Sequence, residues 1–375
     1  MATPAALLAE LVALPSVHPN ADPGGTRPGE EAIAAWVAEE LRHLGAAVET
    51  RRLAPGRPSV VATFEPVGQA SATVLLAPHL DTVGVRGMTV PPFRLTRRGD
   101  RLYGRGSCDT KGPMAALLWA LGQWARRPLL ARSRVRWVVA ATAGEEQGSL
   151  GAQQLANAGL RADFAVALEP TRLRVVNAAK GVLRLWIEAD GRAAHGSQPD
   201  RGVNAIERLL PFAQAVRNVI APQLRRRPHP LLGAATVNLG IIEGGRELNI
   251  VPEYCKIGLD IRTHPHWSEA SVRRLIDRVR RECAPHAKVS LERSAPSFIS
   301  SRNNEWALRL RRCGHGWDTA DWFCDANIFA ACQIPSVAFG PGSIAQAHTK
   351  NEYIQARDLE EGARAFLKFL CTSNH

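Results

Sequence analysis

Apolar residues recur in two different rhythms along this chain, and the rhythms divide it. Near the start, Leu7, Leu8 and Leu11 share a helical face, with Thr3 placed as N-cap and Pro4 in the first turn. The stretch "EEAIAAWVAEELRHLG" puts Ile33, Trp36, Val37, Leu41 and Leu44 at helical spacing, with Gly45 as its stop. Short continuous apolar runs follow at 71–77, 134–142, 163–169 and 334–340, and they read as buried strands. A helix is predicted over 112–125, and another over "ARDLEEGARAFLKFLC". Fully apolar strands alternating with helices predict a mixed, mostly parallel sheet flanked by helices, an α/β fold.

From about residue 180 the texture changes. "GVLRLWIEADG" alternates like a strand with one wet face, and "GVNAIERLLPFAQAVRNVI" is amphipathic at helical period. Two strands, "AATVNLGIIEGG" and "EYCKIGLDIRTH", come next, then a Ser-capped helix, "SEASVRRLIDRVRREC", and a last strand, "AKVSLERS". The order β-α-β-β-α-β is the ferredoxin-like one. The expected organisation is a first catalytic segment at 1–179, an inserted α+β domain at 180–294 and a second catalytic segment at 295–375.

Composition adds limits. The 375 residues are 45% hydrophobic and contain no apolar run of membrane-spanning length, so a globular protein off the membrane is expected. The start lacks a basic n-region, which points to a cytoplasmic location. Seven scattered cysteines without a C-x-x-C pair predict reduced thiols rather than a disulfide frame or zinc ribbon. The net charge of +12 raises a nucleic-acid reading, but its longest basic run is Arg225-Arg226-Arg227, with no interleaved aromatics. A basic surface attracting small anions is more economical, and no nucleic-acid partner is expected.

Candidate chemistry collects where the buried strands end. After 71–77 come His79 and Asp81; after 134–142 come Glu145 and Glu146; after 163–169 comes Glu169; after 334–340 a Gly-Pro-Gly loop leads to His348. Open α/β sheets bind ligands at that edge. Asp109, in "YGRGSCDTKGPM", joins them from a glycine-rich loop. Imidazoles and carboxylates without thiolates suit zinc, cobalt or manganese. Five such ligands suit two divalent ions sharing a carboxylate.

The motifs "PHLDTV", "GRGSCDTKGPMAA", "TAGEEQGSLGA", "LEPT", "AAHGSQPDRGVNAI", "NIVPEY…DIR" and "GPGSIAQAHTKNEY", in this order, resemble a family of co-catalytic metallopeptidases and deacylases. That family includes acetylornithine deacetylase, succinyl-diaminopimelate desuccinylase and glutamate carboxypeptidase. The resemblance implies a zinc-exopeptidase-like catalytic domain holding two ions, zinc first and cobalt as alternative. His79, Asp109 and Glu169 would hold one ion, and Asp109, Glu146 and His348 the other. It also implies a cis peptide after Asp109, Asp81 orienting His79, and Glu145 as the general base that takes a proton from metal-acidified water. In the insert, His195 would help stabilise the oxyanion in a partner subunit of a homodimer. Asn249 and Arg262 would contact substrate, and Gly342 and Ser343 its carboxylate. Two positions depart from the usual pattern: Pro78 stands for glycine and Gly144 for aspartate. Cys324-Asp325 replaces a Ser/Thr-acid pair, which bears on specificity.

The motifs look most like those of acetylornithine deacetylase, so the expected substrate is a small N-acyl, above all N-acetyl, amino acid, with a place in arginine biosynthesis. The alternatives are a carboxypeptidase or dipeptidase, or a desuccinylase, of the same family. A non-catalytic relative is disfavoured because neither Glu145 nor any ligand is missing.

Overall fold

A computed structural model describes residues 2–21, 29–126 and 133–371. Two compact units are present. One comprises Met1–Asn177, Ile299–Asp318 and Cys324–His375, the other Ala178–Phe298 and Thr319–Phe323.

In the first unit the four apolar runs become the centre of a large sheet. Val135–Ala141, Ala72–Ala77, Phe164–Ala167 and Ser336–Ala338 lie side by side in that order, each parallel to its neighbour. They are buried almost throughout, because helices flank the sheet and leave these strands no wet face. Towards the edges the pairing turns antiparallel. Arg57–Phe64 lies against Val135–Ala141, and Ala47–Ala54 against Arg57–Phe64. On the other side Val175–Ala179 meets Ser336–Ala338. The hydrophobic pattern does not announce the 47–64 hairpin, because its outer strand, "AVETRRLA", is never fully buried.

The first helix, Pro4–Ala13, starts where Thr3 accepts a hydrogen bond from the Ala6 amide at 3.2 Å. It packs with Lys111–Ala125 and Ala356–Cys371, and Leu8, Leu11, Leu117, Leu121, Phe366 and Phe369 are among the buried residues of one core. Trp137 enters that core from the sheet and meets Phe369 edge-on at 5.5 Å and Trp306 at 6.2 Å. A second pair of helices, Leu150–Asn157 and Asp325–Ala331, packs together. Among the described residues no helix is long and apolar enough to cross a membrane.

The second unit has a four-stranded sheet in the order Thr236–Gly244, Tyr254–Thr263, Gly181–Asp190, Lys288–Ala295, with every neighbour antiparallel. That is the ferredoxin-like arrangement. Its two long helices, Ala205–Ala215 and Glu269–Cys283, bury Leu209, Phe212, Val272 and Ile276 in a core with Leu183, Leu185, Ile257 and Leu259. Asn204 and Ser268 cap them. Beyond Ala215 the first of these helices widens to a π-type turn, Val216–Ile220, before a short helix, Ala221–Arg225. The seven cysteines are all free.

Candidate metal centre

Backbone hydrogen bonds continue past the strand ends and fix the site residues in register. His79 bridges Thr142 in parallel fashion; Leu80 N–H donates to Thr142 O at 2.8 Å, and Thr142 N–H to Pro78 O at 2.9 Å. Leu168 N–H reaches Ala77 O, and Phe339 N–H reaches Ala167 O, both at 2.9 Å. The segments carrying His79, the Glu145-Glu146 pair and Glu169 are thus laid down by one ladder. Asp109 arrives from the loop before Lys111–Ala125, and its peptide bond to Thr110 is cis, as the resemblance implied.

At this edge the Nε2 of His79 lies 3.0 Å from Asp109 Oδ1. The Nε2 of His348 lies 3.4 Å from Asp109 Oδ2 and 3.0 Å from Glu146 Oε2. One carboxylate, Asp109, therefore stands between two imidazoles. Donor atoms of His79, Asp109 and Glu146 fall within 4.8 Å of one another. Glu169 is buried beside them, and the charges of Asp109 and Glu145 bear on it.

The electrostatics describe a site short of positive charge. Burial, then the proximity of Asp109 and Glu145, drives the Glu169 carboxyl well above the usual range. Burial likewise raises Glu146. The hydrogen bonds to Asp109 and Glu146 push His348 up to about 10. Burial opposes charge on His79, yet Asp109 and Asp81 outweigh it and hold its pKa well above normal. Carboxylates crowded out of water this way need a compensating cation. The donor set of imidazole nitrogens and carboxylate oxygens fits divalent ions of the zinc or cobalt type.

Asp81 does more than the sequence suggested. The Nδ1 of His79 sits 2.9 Å from the Asp81 backbone carbonyl and 3.5 Å from its carboxylate. That carboxylate accepts from the Glu145 and Glu146 amides, at 3.0 and 3.1 Å. It therefore holds the turn that aims both glutamates. Gly144, just before them, adopts φ +73°, and a Cβ there would come 2.4 Å from the Arg57 Nη2. The left-handed backbone and the close guanidinium together favour glycine at this position. Arg57 is itself held by the buried Glu30 at 2.8 Å.

The sequence flagged Asp325 only for specificity. Its carboxylate is buried, and Oδ2 accepts from Thr142 Oγ1 at 2.6 Å, which ties it to the junction of the His79 and Glu145 segments. Gly342 and Ser343 line a cavity of about 380 Å³ together with Arg172, His315, Asp358 and Glu361. Ser343 Oγ accepts from Arg172 Nε at 3.0 Å.

The remaining candidates lie in the second unit. His195 is exposed; its Nδ1 lies 2.7 Å from Ser197 Oγ and 3.2 Å from the Ser197 amide nitrogen. A backbone bond from Gly196 N–H to Asn249 O, at 2.7 Å, brings His195 and Asn249 together. Arg262 is engaged by Asp260 of its own strand, through Nε at 2.7 Å and Nη2 at 3.2 Å.

Fold and donor set together define a hydrolytic metalloenzyme. The model for peptidase family M20/M25/M40 matches residues 75–372, and the chain belongs to that family. It is 32% identical over 304 residues to an acetylornithine deacetylase of Myxococcus xanthus, covering 78% of each chain. It is 30% identical over 371 residues to an acetylornithine deacetylase of Proteus mirabilis (strain HI4320), covering 94% of this chain and 92% of that one. Among solved structures, an M20 family metallo-carboxypeptidase of Sulfolobus solfataricus superposes with a TM-score of 0.85 over 100% of both chains, at 18% identity. That last likeness is one of fold.

Proposed function

We propose that this protein removes the acyl group, an acetyl group first, from an N-acyl amino acid by hydrolysing its amide bond. The observation that carries the reading is the placing of Asp109 between His79 and His348, with Glu146 in contact with His348. The two deacetylase relatives, alike over most of the chain, support the substrate class.

In this reading His79, Asp109 and Glu169 hold one divalent ion, and Asp109, Glu146 and His348 hold a second. Zinc is the proposed metal, with cobalt as the alternative. Bound there, the ions would polarise the amide carbonyl and acidify water. Glu145 is the general base: it accepts a proton from the attacking water and passes it to the leaving nitrogen. Asp81 fixes the turn that carries Glu145 and Glu146 by accepting from both backbone amides. His195 offers its Nε2–H to the tetrahedral oxyanion, in the site of a second copy of the chain within a homodimer joined through the insert. Arg262 and Asn249 take the substrate carboxylate, Arg262 exchanging part of its bond to Asp260 for it. Gly342 and Ser343 present backbone amides to the same group.

The test is turnover of N-acetylornithine, N-acetylcitrulline, N-succinyl-diaminopimelate and a dipeptide panel, before and after chelation and metal return. N-acetylornithine turnover should vanish with chelator and come back with zinc or cobalt. Glu145→Ala should bind metal as the parent does and lose at least about 100-fold in kcat. Cleavage of dipeptides alone would move the protein to the exopeptidase side of the family. Undiminished turnover in Glu145→Ala would refute its assignment as base.

A further inference from the structure

Glu352 belongs to the stretch "HTKNEY", four residues after His348, and nothing above gives it a task. Its side chain is buried, and four donors converge on it. Arg105 Nη1 donates to Oε2 at 2.6 Å and Gly106 N–H to the same oxygen at 3.1 Å. Cys108 N–H donates to Oε1 at 2.9 Å and Asp109 N–H at 3.0 Å. All four come from one loop, the one that carries Asp109. Each of these contacts on the carboxylate comes from a donor, so both oxygens are satisfied by the one loop.

The backbone adds a second tie to the same loop. Gly104 N–H donates to Glu352 O at 3.2 Å, and Tyr353–Gln355 pairs antiparallel with Arg101–Tyr103, which leads into the loop. The segment 348–352 therefore holds one candidate ligand at one end and grips the loop of the candidate bridging ligand at the other. Asp109 has to present Oδ1 to His79 and Oδ2 to His348, at 3.0 and 3.4 Å. A carboxylate used on both edges tolerates little rotation or shift of its backbone.

We propose that Glu352 is a positioning residue: its carboxylate clamps the Arg105–Asp109 loop so that Asp109 reaches both imidazoles at once. The proposal rests on the reading of Asp109 as a ligand shared by two metal ions. Glu352→Gln keeps the shape and offers an NH2 to backbone N–H groups that need an acceptor, so the clamp is broken at one oxygen.

The experiment uses the full-length protein loaded with cobalt(II). The readouts are metal equivalents per chain, affinity by competition with a chromophoric chelator, the visible cobalt spectrum, and kcat and KM on N-acetylornithine. Glu352→Gln should bind the more weakly held equivalent at least about 10-fold less tightly. It should alter the cobalt bands and lose kcat with KM within about twofold of the parent. Leu102→Ala, a buried change in the neighbouring strand that leaves the carboxylate alone, should lower Tm without moving the spectrum. If Glu352→Gln does not fold, Arg105→Gln carries the test, since it removes one donor and spares the three backbone bonds; the same spectral change, smaller, is expected. Cobalt binding and spectrum identical to the parent's in a folded Glu352→Gln, or in Arg105→Gln if only that variant folds, would overturn the clamp while leaving the metal reading intact. A parent protein that takes up no cobalt would overturn both, and that outcome is read before any variant is made.

Discussion

At the residue scale the site is built from backbone as much as from side chains. Gly144 shows this most directly: its positive φ turns the chain between the strand and the two glutamates. Gly144→Ala should cost about 1–2 kcal/mol for the left-handed backbone, with Arg57 pushed aside. Urea unfolding with an unchanged m-value would check it; an unchanged midpoint would mean that the turn relaxes freely. Every candidate ligand could be named in the sequence, because each stands just past an apolar run or in a glycine-rich loop. The double grip of Asp81 on the Glu145 and Glu146 amides could not be read, since a carboxylate's bonds to distant backbone N–H groups leave no periodic trace. Glu352 stayed hidden for the same reason: its partners are 243 to 247 residues away in sequence.

At the element scale, the apolar pattern carried the reading of the four central strands and the long helices, but it passed over two other buried strands, Arg57–Phe64 and Val175–Ala179. The four central strands are almost wholly buried, Gly181–Asp190 alternates along most of its length, and the insert's two long helices bury one apolar face. Where strands are short, or have no buried position as in Ala47–Ala54, the pattern is silent. The hairpin Ala47–Ala54 with Arg57–Phe64 is marked only by Pro55 and Gly56 between its arms. Strand pairs of three residues, such as Arg101–Tyr103 with Tyr353–Gln355, are too brief for any period to show. Helix starts, by contrast, are local chemistry. Asn204 Oδ1 accepts from the Ile206 amide at 3.0 Å and the Glu207 amide at 3.3 Å. Asn204→Ala should therefore destabilise the insert by about 1 kcal/mol, read from its thermal or urea unfolding. A loss under about 0.3 kcal/mol would show that tertiary packing alone holds that helix end.

At the scale of the whole molecule the two units have separate cores, and their responses should separate as well. A chain of residues 178–298 should fold and melt cooperatively on its own, because its helices and sheet enclose one apolar cluster. Chelator should lower the Tm of the full-length protein and leave that of the excised insert unchanged, since ligand release destabilises only what the ligand binds. The insert should carry its own pH signature. Burial, reinforced by the positive charges of His229, His266, Lys180 and Arg227, depresses the buried His264 from 6.5 to about 4. The unfolded chain then takes up this proton first, so its contribution to stability is whole above pH 6.5 and fades as pH falls towards 4. Urea midpoints of the insert across that window should fall with acid, and less steeply in His264→Phe. Equal slopes would mean that other groups carry the effect.

One consequence of the discontinuous first unit concerns time rather than energy. Its central sheet waits for Ser336–Ala338, and the candidate centre waits for His348 and Glu352, whereas the stretch Ala178–Phe298 of the insert is continuous in sequence. A chain leaving the ribosome can pack the insert while His79, Asp109, Glu145, Glu146 and Glu169 still lack their last partners. Metal capture should thereby wait for the segment that carries His348 and Glu352, however early the insert folds. Stalled chains of increasing length should acquire tight cobalt binding only once residue 352 has emerged, well after the insert resists protease.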